Sequence, residues 1–432
     1  MNNNNQYSVK PSGVPWLGDM PTGWRIGRLV GLYVHRNEKV SDKDFPPLSV
    51  TMKGVMPQLA TAAKSDDGDN RKLVRKGDFA INSRSDRRGS CGISAYDGSV
   101  SLINTILTPR GQMSPAYFNW LFHTDAFADE FYKWGHGIVD DLWTTRWSEM
   151  KRIVVVFPPL AEQRAIAEYL DETCGAIDAA IAEAKKGIEE YKSWKKSLIF
   201  EAVTGKRRVG AFNADKRESE KMKSSGILWI GAIPEGWKVS RVKEVATIKT
   251  GNTPDKQYQN EYYSTASGVP WIKAENLGFM VPISQAAEYL TEEGVKQGRV
   301  FPPRTVFVCC IASIGKVGYS EKVASCNQQL NALVFNSRMY WKYGFYVTIA
   351  AEEEYLVRAC GNVVKILNSS EQGLIAVPLP SIPEQQAIAD YLDEKCAAID
   401  AMVAEKEALI ADLEAYKKSL IYETVTGKRE VA

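Results

Sequence analysis

The chain has 432 residues, with 54 Lys and Arg against 52 Asp and Glu and a formal net charge of +2. Hydrophobic residues make up 44% and charged residues 25% of it, values that exclude a disordered or collagen-like chain and indicate a packed globular protein. This length predicts at least two hydrophobic cores. The near-neutral charge excludes a globally basic nucleic-acid binder, so any contact with DNA has to come from local basic patches.

The sequence predicts a cytoplasmic protein with reduced thiols. No run of 18 or more apolar residues is present, and the start, Met1–Gln6, has neither the basic nor the apolar region of a secretory signal. The seven cysteines lack CxxC pairing, and Cys309 is followed directly by Cys310. This arrangement suits neither a disulfide framework nor a tetrahedral zinc site.

Two segments occur twice in the chain. Residues 162–207 align without a gap with residues 384–429 at a constant offset of 222, with 28 identities in 46 positions. Near the start of each half, WLGDMPTGW at 16–24 recurs as WIGAIPEGW at 229–237, and we call this short segment the tryptophan motif. The intervening sequences show no comparable similarity. Each half therefore has the same order: a tryptophan motif, a variable domain and a repeated helix.

In chain order, the predicted elements alternate between mixed domains and long helices. Short β-rich runs cut by Gly, Pro and Ser, such as 72–83 and 299–320, predict mixed α/β domains with loop-rich surfaces. The predicted segments are a first domain at 1–158, a first long helix at 159–206, a linker at 207–224, a second domain at 225–380 and a second long helix at 381–432.

The repeated segment has the pattern of an amphipathic helix. Its apolar residues keep a spacing of three or four, which predicts a stripe that packs on another helix. Gly205 and Gly427 are placed to cap the two C-termini. The stripe comprises Ile166, Leu170, Ile177, Ile181, Ile188 and Leu198 in the first copy, and Ile388, Leu392, Ile399, Val403, Ile410 and Leu420 in the second.

The two helices are expected to pack on each other. About 45 residues at 1.5 Å each give a rod of roughly 65 Å, which is unstable alone in water with one apolar stripe. Because a whole domain separates the copies, the simplest arrangement is an antiparallel two-helix coiled coil with a pseudo-two-fold axis. The predicted fold class is thus α+β. The alternative is two independent helices, each covering its own domain.

The sequence contains no recognisable catalytic motif. The segments around Lys206, Lys316 and Lys428 fail the P-loop pattern, and neither GxSxG nor HExxH is present. The histidines are scattered along the sequence, which favours surface or packing roles over metal ligation. The sequence therefore predicts a chain without catalytic or metal-binding residues of its own.

The repeated order resembles the specificity subunits of type I restriction–modification systems. The resemblance rests on two variable domains, each opened by W[LI]Gx[IM]PxGW and closed by a Pro-rich strand leading into an EQxAIAxYLD helix. In addition, VPWIKAENL at 269–277 is similar to a strand of that family's target-recognition domains. The resemblance covers essentially the whole chain.

The resemblance implies a non-catalytic protein that recognises double-stranded DNA. Each target-recognition domain would read one half of a split, asymmetric sequence. The implied partners are two adenine-methyltransferase subunits and two restriction subunits, which would hold the cofactors S-adenosylmethionine, ATP and magnesium. Physically, a rigid rod that fixes two readers converts two weak contacts into one bipartite recognition event, and its length would set the spacer between half-sites.

Base reading needs Arg or Lys for guanine and Asn or Gln for adenine. In the first domain the best cluster is the segment 82–88, with Asn82, Arg84, Arg87 and Arg88 as candidates, and its alternative is a solvated basic loop. Arg71 and Lys72 are candidates for phosphate contacts. The tryptophans of the two tryptophan motifs are expected to pack on the helix ends rather than to stack on bases. In the second domain, the resemblance points to Lys273, Asn276, Ser313, Lys316, Asn327, Gln328 and Gln329, and the alternative for them is a structural role.

Two other functions are consistent with parts of the sequence. One is a coiled-coil scaffold whose variable domains bind proteins rather than DNA. The other is an enzyme derived from a fused methyltransferase–nuclease, against which the missing motifs argue. The salt dependence of DNA binding separates the first of these from a DNA reader.

Overall fold

A computed structural model describes residues 8–58, 68–84, 87–137, 143–209, 221–278, 280–361 and 364–431. The chain divides into two compact units. Unit 1 comprises Met1–Lys185 and Glu407–Ala432, and unit 2 comprises Lys186–Lys406. Both long helices cross these limits, so each unit contains part of each helix.

The α-helices of the described residues range from single turns to two 44-residue helices. In chain order they are α1 Leu29–Leu32, α2 Pro115–Phe122, α3 Asp125–Lys133, α4 Trp147–Met150, α5 Leu160–Val203, α6 Val242–Val245, α7 Gln259–Tyr262, α8 Glu292–Gln297, α9 Trp341–Ala350, α10 Glu352–Arg358, α11 Ser369–Gly373 and α12 Ile382–Val425. Short 3₁₀ turns occur at Lys256–Tyr258 and Ala274–Asn276.

The strands are short and form several small sheets in each unit. Those of unit 1 are β1 Val9–Pro11, β2 Asp19–Pro21, β3 Arg25–Arg28, β4 Tyr33–Arg36, β5 Lys39–Val40, β6 Leu48–Thr51, β7 Gly54–Pro57, β8 Arg71–Val74, β9 Phe79–Asn82, β10 Cys91–Ile93, β11 Gly98–Val100, β12 Asn104–Pro109 and β13 Val154–Phe157. Those of unit 2 are β14 Met222–Ser224, β15 Ala232–Pro234, β16 Lys238–Arg241, β17 Ala246–Thr250, β18 Tyr263–Ser264, β19 Val269–Ile272, β20 Tyr289–Leu290, β21 Val300–Phe301, β22 Thr305–Cys309, β23 Val317–Ser320, β24 Ala324–Cys326, β25 Leu330–Phe335 and β26 Ala376–Leu379. Strand β14 lies within the segment that the sequence predicted as a linker.

Unit 1 is built around a four-stranded antiparallel sheet in the order β10-β9-β12-β4. Strand β9 is buried throughout, because the helical hairpin α2–α3 packs its aromatic side chains against the sheet. Tyr117, Phe118, Phe122 and Phe127 are fully buried there. The unit is thus a mixed α+β fold.

Unit 2 contains a four-stranded antiparallel sheet in the order β17-β25-β22-β23. Counted along the chain, this is the same strand order as in unit 1, although the sequences of the two sheets do not align. A second sheet has the order β18-β20-β19-β24-β21, and in it β19 and β24 run parallel. At the corresponding place unit 1 has a parallel bridge between Pro47 and Ser99.

The two long helices run antiparallel within each unit and fit a coiled coil. In unit 1, Lys417 donates to Asp178 at 2.6 Å and Lys185 lies 3.7 Å from Glu414, so residue numbers fall in α12 as they rise in α5. In unit 2 the repeat-equivalent ion pair joins Lys195 to Asp400, also at 2.6 Å. The same pair of repeated residues therefore links the helices in both units. Of the predicted stripe residues, Val403 and Ile410 are half-buried and the others are buried.

Each tryptophan motif joins the start of one long helix to the end of the other. In unit 1, the indole Nε1 of Trp24 donates to Glu162 at 2.6 Å in the first turn of α5, and its ring lies beside Gly427 after α12. Glycine is required at this cap because its φ is +75°. We call this arrangement the tryptophan clasp. It confirms that the tryptophan of this motif packs on helix ends.

Unit 2 contains the same tryptophan clasp. Trp237 donates to Glu384 at 3.0 Å in the first turn of α12, and its ring lies beside Gly205, which follows α5 and also has a φ of +75°. The Nζ of Lys206 reaches the carbonyl oxygen of Ile230 in the tryptophan motif at 3.1 Å. The predicted glycine caps are thus confirmed, and each also makes room for the tryptophan motif that packs on it.

Candidate nucleic-acid interface

In unit 2 the parallel strands β19 and β24 bring two predicted segments to one edge. Trp271 pairs with Ser325 and Ile272 with Cys326, so both strands end at the same place. The segment 273–276 follows the first strand and the segment 327–329 follows the second. They are joined by a hydrogen bond from the Asn327 amide to the Ile272 carbonyl at 3.1 Å.

The loop between β22 and β23 completes this edge. The Cys310 amide donates to the Gln329 carbonyl at 2.8 Å, and the Gly278 amide donates to the Val317 carbonyl at 2.9 Å. The loop carries Ser313 and Lys316, both exposed. All seven candidates of the second domain therefore lie on connected segments. We call the surface formed by 273–278, 310–316 and 327–329 the unit 2 polar edge.

The polar side chains of this edge differ in their burial and in the hydrogen bonds that they make within unit 2. Asn327 is buried, and its Nδ2 donates to Gln329 Oε1 at 3.0 Å. Asn276 accepts from the Lys273 amide at 2.9 Å. Gln328 is exposed, and its Oε1 accepts from the Thr253 hydroxyl. Asn276, Asn327 and Gln329 thus shape the loops, while exposed groups are available for contact with a ligand.

Thr253 lies on a further segment of the unit 2 polar edge, which the sequence did not predict. The segment after β17 contains Gly251, whose missing Cβ would lie 2.2 Å from the Cys326 carbonyl oxygen, so only glycine lets it approach β24. Asn252 then donates from its backbone to the same carbonyl at 3.0 Å. The available signal was the run Gly-Asn-Thr-Pro directly after a β-rich segment, which is typical of a turn.

Lys273 takes part in a charged network with an acidic centre. Its Nζ lies 2.5 Å from Glu288, which also holds Lys256 at 3.1 Å. Both ammonium groups lie 5.0 Å from the centre of the Trp271 ring. The hydrogen bond from Lys273, with that from Lys256, lowers the pKa of Glu288. In this network one carboxylate faces two ammonium groups.

Unit 1 has an edge in the corresponding position. The Ser83 amide donates to the Ile103 carbonyl at 3.2 Å, which corresponds to the bond from the Cys310 amide to the Gln329 carbonyl in unit 2. The Thr145 amide donates to the Ser83 carbonyl at 2.9 Å. Asn82 is buried and accepts from the Arg84 amide at 3.1 Å, so it supports the loop rather than projecting from it.

The arginines of this loop are its exposed cations. Arg84, Arg87 and Arg88 are all exposed. Ser85 and Asp86, between them, lie outside the described residues. The Arg88 guanidinium pairs with Asp129 and lies 5.7 Å from the centre of the Tyr132 ring. We call the surface formed by the described residues of 82–90 the unit 1 polar edge.

Arg71 and Lys72 lie on β8 and are held inside unit 1. Arg71 is only 5% exposed, and its guanidinium donates to the side chain and the carbonyl of Ser99 at 2.8 and 3.0 Å. The Lys72 ammonium donates to the Asn104 carbonyl at 2.7 Å, and burial lowers its pKa. These contacts argue against the phosphate contacts expected of them, because both cations already stabilise the sheet.

Within the described part of the chain, no group of three or more His, Cys, Asp or Glu is arranged to hold a metal ion. None of the helices described is long and apolar enough to cross a membrane. The cysteines of the described residues are free thiols, and all are buried except Cys360. Burial raises the pKa of Cys91 and of Cys396 to about 12, which keeps both protonated at neutral pH.

Residues 234–410 match the family described as the type I restriction modification DNA specificity domain. This match covers the second variable domain and the first part of α12, and it assigns unit 2 to the class of DNA-specificity modules.

Curated specificity subunits are similar to further parts of the chain. The MjaIX specificity subunit of Methanocaldococcus jannaschii is 29% identical over 38% of this chain and 38% of its own length. The MjaVIII specificity subunit of the same organism is 26% identical over 65% of this chain and 63% of its own length. The chain thus spans less than two thirds of either relative. A solved chain from a type I R-M system has a TM-score of 0.74 at 15% identity, covering 95% of this chain and 99% of that one, which shows a shared fold. The chain is thus similar to type I restriction–modification specificity subunits, and residues 234–410 match their DNA specificity domain.

Proposed function

We propose that the protein is the DNA sequence-specificity subunit of a type I restriction–modification complex in the cytoplasm. Unit 1 and unit 2 each read one half of a bipartite, asymmetric site in double-stranded DNA. The chain itself is non-catalytic. S-adenosylmethionine, ATP and magnesium bind to its partners, which are two methyltransferase subunits and two restriction subunits.

One observation carries the proposal: two sheets of the same strand order present polar edges of different chemistry. The unit 1 polar edge offers exposed arginines, whereas the unit 2 polar edge offers Lys316, Ser313 and Gln328. Arginine favours guanine edges and glutamine favours adenine edges in the major groove. Two readers that differ in this way suit a site whose halves differ in sequence.

The repeated helices support a role as spacer. Each has 44 residues, which at 1.5 Å per residue gives roughly 66 Å of helix. Two readers on one face of DNA need a separation of about one turn, roughly 34–36 Å, or a multiple of it. We propose that helix length sets the unspecified spacer between the half-sites.

The test is methylome sequencing of a host that carries the protein with its methyltransferase subunit. We expect a methylated motif made of two specified halves and an unspecified spacer, absent when the gene for this chain is deleted. A methylated motif that persists after deletion would refute the proposal.

Salt dependence separates this function from that of a protein-binding scaffold. The logarithm of the DNA affinity of the purified complex should fall linearly with the logarithm of salt concentration, by about 0.9 per phosphate contacted. A scaffold whose variable domains bind proteins would show no specific DNA complex and no such slope.

A further inference from the structure

In each unit a segment next to the polar edge lies on a glycine of the four-stranded sheet. In unit 2 this is the segment 273–278, because a Cβ added to Gly318 would lie 2.8 Å from Leu277 Cδ2. In unit 1 it is the two-stranded β6–β7 ribbon, because a Cβ added to Gly92 would lie 2.8 Å from Gly54 Cα. The two glycines are the second residues of the equivalent strands β10 and β23. The turn of the β6–β7 ribbon therefore takes the place that 273–278 has in unit 2, beside the unit 1 polar edge.

The β6–β7 ribbon presents an exposed methionine at its tip. Thr51 pairs with Gly54, which leaves Met52 and Lys53 as the two turn residues. Met52 is 72% exposed, and Lys53 is exposed beside it. The Lys53 amide donates to the Thr51 hydroxyl oxygen at 3.1 Å, and that hydroxyl donates to the Gly54 carbonyl at 3.1 Å. Val55, directly after the turn, is buried in the core. The fold thus anchors the ribbon and braces its tip while a large apolar side chain and a cation face solvent.

A second exposed apolar side chain lies in the turn between β11 and β12. Residues 101–104 form the same turn as residues 327–330, because in each the amide of the fourth residue donates to the carbonyl of the first, at 3.1 and 3.2 Å. In each turn the carbonyl of the third residue also accepts the hydrogen bond from the loop of the polar edge. The exposed second position is Leu102 in unit 1 and Gln328 in unit 2. Unit 1 thus has a leucine where unit 2 has a glutamine of its polar edge.

We propose that Met52 and Leu102 are base-reading residues of unit 1, and that each contacts the C5 methyl group of a thymine in the major groove. This inference rests on the proposed function. The thymine methyl is the apolar group that distinguishes one base edge from another in that groove, where the other signals are hydrogen-bond donors and acceptors. A two-stranded ribbon fits the major groove, and Lys53 at the tip is placed to contact a phosphate. The half-site of unit 1 therefore contains at least two thymines, counted over both strands.

Replacing thymine by deoxyuridine tests the inference, because uracil lacks only the C5 methyl group. The probes are duplexes that carry the split motif found by methylome sequencing, with one thymine of either strand replaced at a time. The protein is the full-length chain in complex with its methyltransferase subunits. The wild-type complex should lose affinity about fourfold at each contacted thymine, which corresponds to one buried methyl-sized group. Met52→Ala should bind the thymine and uracil forms equally at one of these positions, and Leu102→Ala at another.

Val34→Ala is the matched control on the same sheet. Val34 is 43% exposed, and it pairs with Thr108, four residues along β12 from Asn104 at the end beside the polar edge. This variant should therefore keep the wild-type preference for thymine at every position. The uracil duplexes give an internal control, because the methyl contact is absent from them in wild type and variant alike. A variant that binds its uracil duplex as tightly as wild type does has kept its fold and the rest of its DNA contacts.

Three outcomes would count against these conclusions, and they are distinguishable. Met52→Ala and Leu102→Ala complexes that keep the wild-type preference for thymine at every position would overturn the inference and leave the proposed function intact. Variants that instead lose methyltransferase subunits in native mass spectrometry would assign these side chains to a protein contact and would also overturn it. If the wild-type complex did not prefer the split motif to a scrambled duplex, the proposed function itself would fail.

Discussion

Replacing Gly427 with alanine tests whether the tryptophan clasp holds unit 1 together. Gly427 has a φ of +75°, and a Cβ added there would lie 2.3 Å from Pro21 Cδ and 3.0 Å from Trp24 Cζ3. The left-handed backbone alone costs a non-glycine residue about 1–2 kcal/mol. Because real Cβ contacts are not this short, the proline ring would have to move by more than about 1 Å.

The clash adds to the backbone cost because Pro21 has little room to move. It pairs with Val9 in the β1–β2 ribbon, and the neighbouring Trp24 is fully buried. Overpacking of this kind costs about 1–3 kcal/mol. We therefore expect Gly427→Ala to lower the free energy of unfolding of unit 1 by about 2–5 kcal/mol.

Gly13 provides the matched control within unit 1. It has a φ of +72°, and a Cβ added there meets nothing within 4 Å. Gly13→Ala should therefore show only the backbone cost of about 1–2 kcal/mol. Urea unfolding followed by tryptophan fluorescence gives the free energies, and hydrogen exchange of residues 415–431 reports the local opening. If Gly427→Ala cost no more than Gly13→Ala, the tryptophan clasp would not be under steric constraint and the reasoning would be wrong.

Three further predictions concern the units and their polar edges. Residues 1–209 and 221–432, expressed as separate chains, should copurify, because unit 1 contains Glu407–Ala432 from the second fragment; two fragments that elute separately would contradict this. The pKa of Glu288 is lowered in the fold, so its ion pairs stabilise unit 2 above the usual pKa of a glutamate and this contribution is lost as the pH falls through the lowered value. Glu288→Gln should accordingly lower the urea midpoint near pH 7 and approach wild type near pH 3, whereas a constant difference would refute the ion-pair origin. Lys316→Ala should reduce the salt slope of DNA binding by the complex by about 0.9 if this lysine contacts a phosphate, and an unchanged slope would exclude that contact.

The helices and their ends could be predicted from the sequence because their determinants are local. A stripe at three-or-four spacing specifies which face is buried, and a glycine after the last turn specifies where the helix stops. The observed helix α12 ends at Val425, two residues before Gly427, and α5 ends at Val203, two residues before Gly205. The duplication also predicts a contact between segments far apart in the sequence, because two copies of one apolar stripe can pack on each other.

The polar edges could be predicted only in part, because tertiary pairing decides which side chains reach the surface. Asn327 and Arg71 have the residue types expected of DNA contacts, yet both are buried and bonded within their units. Conversely, Thr253 reaches the unit 2 polar edge only because Gly251 allows the chain to pass close to β24. Neither the parallel pairing of β19 with β24 nor this close approach leaves a periodic pattern in the sequence.

The bridges beside the two polar edges explain how one backbone arrangement can hold loops with different side chains. In unit 1 the residue that starts the loop, Arg84, bridges to Thr144, and in unit 2 Ile311 bridges to Ile366 in the same arrangement. The bridges use backbone groups, so they place no demand on the side chains that the loop presents. The sheets and their backbone bonds can therefore stay constant while loop residues change. A chain built in this way can change the side chains of one polar edge without disturbing the repeated helices.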